Sequence, residues 1–67
     1  TAIADVGVAL YIADAALRSA MLSVDINVPL IKTESFVAEL RGERARLLAD
    51  AEELRIVGLG IVKTRLA

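Results

Sequence analysis

The stretch RIVGLGIVKTRLA, residues 55–67, carries the choice between two folds. Ile56, Val57, Ile61, Val62 and Thr64 are β-branched, and Gly58 and Gly60 lie inside the run. β-Branched side chains lose rotamer freedom in a helix, and two interior glycines cost a helix about 2 kcal/mol together. At a period of two, Gly58 and Gly60 fall on one face beside Ile56 and Val62, while Val57, Leu59 and Ile61 line the other. A strand with bare backbone on one face suits close contact with another layer. Against this, Gly58 and Ile61 keep the heptad phase of the residues before them, and neither a C-cap glycine nor a proline ends the preceding helix at Leu54. The balance favours a strand.

The segment before it, residues 34–54, reads as a helix. Val37, Leu40, Leu47, Ala51 and Leu54 share one heptad phase, with Arg44 interrupting it. Thr33 suits an N-cap and Glu34 the first turn, where negative charge complements the helix dipole. Glu43 and Arg46, and Glu52 and Arg55, are three apart, and Arg46 and Asp50 are four apart, the lattice of a solvated face. Gly42 weakens this helix by about 1 kcal/mol.

Residues 23–31 alternate: Val24, Ile26, Val28 and Leu30 against Ser23, Asp25, Asn27 and Pro29. That is the pattern of a half-buried strand, placed at an edge or ended by Pro29, which donates no ladder hydrogen bond. Residues 2–22 read as a helix with a seam of Ile3, Val6, Leu10, Ala13, Leu17, Ala20 and Val24, and Asp14 stands four residues before Arg18. Val8, Ala9, Ile12, Ala16 and Met21 make the other faces apolar too, so this helix is expected to be covered on several sides.

The order helix, strand, helix, strand predicts an α+β fold, one small domain over residues 1–67, with an incomplete sheet finished by other subunits. An all-α helical hairpin with heptad seams is the alternative. In either case 57% of 67 residues are apolar, more than so short a chain hides by itself. Copies of itself are the expected cover, and another protein subunit is the alternative. The expected interface comprises Ile3, Val6, Leu10, Leu17, Val24, Ile26, Val28, Leu40, Leu47, Leu54, Gly58 and Gly60.

Little in the chain suggests chemistry. It has no cysteine, histidine or tryptophan, so disulfides, thiolate or imidazole metal ligands and the readiest neutral-pH bases are missing. Gly58-x-Gly60 lacks the third glycine, following helix and distal acid of a dinucleotide loop. Glu39 and Glu43 sit among Arg41, Arg44 and Arg46, which neutralise a cation site, and catalysis by Thr1 as an N-terminal nucleophile needs an oxyanion hole from a second chain. No catalytic residue, cofactor or metal is therefore expected, and the chain is not expected to be an enzyme.

A net charge of −1 and two aromatic residues, Tyr11 and Phe36, explained by core packing, argue against nucleic-acid binding. The charge-free stretches 6–13 and 56–62 are too short for a transmembrane span. The expected role is a structural, self-assembling subunit of a homo-oligomer, filament or shell. The alternatives are an accessory subunit of a hetero-complex, or the small chain of an enzyme whose active site lies elsewhere.

Overall fold

The computed structural model describes residues 1–66 and is an antiparallel helical hairpin. Helix α1 spans Ala2–Asn27, a single 3-10 turn spans Val28–Leu30, and α2 spans Glu34–Leu66. No strand occurs among the described residues. The α+β expectation is therefore corrected: residues 23–27 finish α1, and 55–66 continue α2. Ala67, the last residue of the expected terminal strand, lies outside the described residues.

Both corrections have a physical cause. Val24 and Val28 are four apart, so they satisfy a helical seam as well as an alternating one, and their neighbours Ile26 and Leu30 point to solvent. Helix α1 ends where Pro29 enters the 3-10 turn, without a backbone N–H to continue the ladder. Residues 55–66 stay helical because a helix satisfies its backbone hydrogen bonds within the segment, whereas a strand needs a neighbour. The chain supplies none. Gly58 and Val62 also extend the face of α2 that lies on α1, which adds packing to local bonding.

The start of each helix fits its sequence. The Thr1 hydroxyl accepts a hydrogen bond from the Ala4 amide at 3.3 Å and caps α1. Helix α2 begins directly after Thr33, with Glu34 in its first turn. At about 1.5 Å per residue, α2 accounts for the 51 Å length of the molecule, whose other extents are 16 and 11 Å.

Close packing is concentrated where the start of α1 meets the end of α2. A Cβ on Gly7 would lie 3.1 Å from Val62 Cγ1, and one on Gly58 would lie 3.0 Å from Leu10 Cδ1. No described residue has a positive φ, so these glycines act through the space they leave. Leu59, Val62 and, at the other end, Val28 are the buried apolar side chains.

Candidate functional site

The inward face of α1 follows Ile3, Gly7, Leu10, Asp14, Leu17, Met21 and Val24, and Val28 of the turn continues it, in alternating steps of four and three. The expected seam shared Ile3, Leu10, Leu17 and Val24 with it. Between them it took Val6, Ala13 and Ala20, one residue short of Gly7, Asp14 and Met21. Helix α2 turns inward along Val37, Arg44, Ala51 and Gly58, interleaved with Leu48, Arg55 and Val62. Leu40 is half-buried as well, whereas Leu47, Leu54 and Ile61 fall on an exposed neighbouring stripe. Polar side chains thus occupy three seam positions, and each has a partner across the hairpin or beside it.

Asp14 is the centre of the polar site. Arg18 Nε donates to Asp14 Oδ2 at 3.1 Å, and Arg18 Nη2 donates to Glu52 Oε2 at 2.8 Å. Arg55 Nη2 donates to Glu52 Oε1, and Arg55 Nε lies 3.7 Å from Asp14 Oδ1. Two carboxylates and two guanidiniums alternate around a closed ring that joins the two helices. Hydrogen bonding to Glu52 raises the Arg55 pKa above its ordinary value; partial burial opposes this, and the charges of Glu52, Asp14 and Tyr11 add to it. Both carboxylates are already engaged by arginines, so the ring positions helices and has no free base to offer a substrate.

A second pair closes the turn end. Arg44 Nη2 donates to Asp25 Oδ2 at 2.7 Å, while Arg44 Nε is buried without a hydrogen-bond partner. A cavity of about 210 Å³ beside it is lined by Val24, Asp25, Val28, Pro29, Leu40, Arg41 and Arg44. Of the expected solvated lattice, Glu43 and Arg46 pair on the exposed surface, and hydrogen bonding to Glu43 raises the Arg46 pKa. Glu52 and Arg55 depart from that lattice by turning toward α1. Among the described residues no cluster of three histidine, cysteine, aspartate or glutamate side chains comes together to hold a metal ion.

The expected interface residues separate into two groups. Ile3, Leu10, Leu17, Val24, Leu40 and Gly58 are half-buried between the helices, and Val28 is buried. Val6, Ile26, Leu47, Leu54 and Gly60 face solvent, Leu54 at 70% exposure. Tyr11 and Phe36, expected in a core, are exposed too. Reasoning from sequence missed Gly7, Asp14, Arg55 and Val62; the signal was the heptad itself, one position over from the most apolar choice.

Residues 2–30 form a helical stretch with a mean hydropathy of 1.3 over its most apolar window, enough by length and composition alone to cross a membrane. Core helices of soluble proteins meet the same measure. A model of the formiminotransferase-cyclodeaminase family matches residues 1–46, which take in α1, the turn and α2 as far as Arg46. The chain belongs to that family. No curated protein and no solved structure matches it.

Proposed function

We propose that this member of the formiminotransferase-cyclodeaminase family is a structural helical unit, which works by laying its apolar faces on copies of itself. One observation carries the reading. Three apolar side chains are buried within the hairpin, while fourteen large ones, from Val6 to Leu66, are exposed. Burial yields about 25 cal/mol per Å², so the larger part of the available apolar stabilisation lies outside the single chain. The chemistry in the family's name, group transfer and a ring-closing deamination, calls for acid and base groups. Here there is no histidine or cysteine, and Asp14 and Glu52 are held by Arg18 and Arg55. These features favour a scaffold over a catalyst.

Sedimentation equilibrium of the 7.1 kDa chain tests the proposal. A mass that is a multiple of one chain supports it, and a folded, monomeric chain at all concentrations overturns it. The family match favours a second reading, in which the hairpin is a packing element of an enzyme whose active site lies on other helices. Under that reading the isolated chain stays unfolded at every concentration and gains helix only when joined to a family partner.

A further inference from the structure

We draw no further inference here: the strongest candidate, the cavity of about 210 Å³ at the turn end lined by Val24, Val28, Leu40, Arg41 and Arg44, carries nothing, because Asp25 already neutralises Arg44 and nothing in the structure shows what would enter it.

Discussion

Gly58 and Gly60 look alike in sequence and differ in what surrounds them. A methyl group added at Gly60 meets nothing within 4 Å, and the same is true at Gly42. Glycine inside a helix costs roughly 1 kcal/mol relative to alanine, so Gly60→Ala and Gly42→Ala are each expected to stabilise the chain by about that amount in chemical denaturation. At Gly7 the new methyl would stand 3.1 Å from Val62 Cγ1, part of a β-branched side chain with few rotamers to move into. Gly7→Ala is therefore expected to destabilise despite its better helix propensity. Gly58→Ala should fall between, because the flexible end of Leu10 is able to give way. Equal gains at all four positions would mean that the helices do not approach closely at Gly7 and Gly58. The glycines of residues 55–66 are also where the chain was hardest to read. A close backbone contact was legible in Gly58, but the period of two that placed Gly60 beside it belonged to a strand. The real spacing pairs Gly58 with Val62 on a helix and leaves Gly60 outside.

At the scale of the helices, the heptad was legible and its second position was not. Ile3, Leu10, Leu17 and Val24 recur every seven residues and do face α2. Choosing Val6, Ala13 and Ala20 between them followed hydrophobicity, while the fold uses Gly7 for close approach and Asp14 for an ion pair. An inward aspartate reads as an error in a seam until Arg18 and Arg55 are seen on either side of it. Asp14 and Arg55 are half-buried, but the Arg18–Glu52 link of the ring is open to solvent, which limits its worth. Exposed ion pairs contribute about 0.2–1 kcal/mol, and a double-mutant cycle on Arg18→Gln and Glu52→Gln is expected to give a coupling in that range, falling as salt is added. A coupling of several kcal/mol would show that the ring is desolvated in the assembled protein. The direction of the Arg55 shift adds a pH expectation. Its pKa is raised in the folded state, so its stabilising contribution is fully present below the unfolded value and is lost only as pH rises through the raised one. Both lie far above neutral pH, and Arg55→Gln is expected to leave the pH profile of stability unchanged between pH 6 and 10 (roughly the working range of a denaturation series).

For the whole molecule, composition announced an excess of apolar surface, and the hairpin shows why it persists. Two helices touch along one seam, so each has most of its circumference left over, and a 26-residue α1 that is apolar on several faces has no third element to cover it. A strand order in the sequence would have solved this with a sheet; the helical hairpin leaves the same deficit on its sides. Folding linked to association makes stability depend on concentration. Unfolding enthalpy is about 0.7 kcal/mol per residue near 60 °C, or about 90 kcal/mol for two chains melting together. For a pair that separates as it unfolds, that enthalpy raises Tm by about 5 °C for each tenfold increase in concentration. Calorimetry across two decades of concentration is expected to show a rise of about 10 °C. Leu54→Lys, at a side chain 70% exposed in the single hairpin, should flatten that dependence while leaving the hairpin's own seam intact. A Tm that stays constant across both decades would mean that one hairpin holds itself together, and that the exposed stripe of Leu47, Leu54 and Ile61 plays no part in folding.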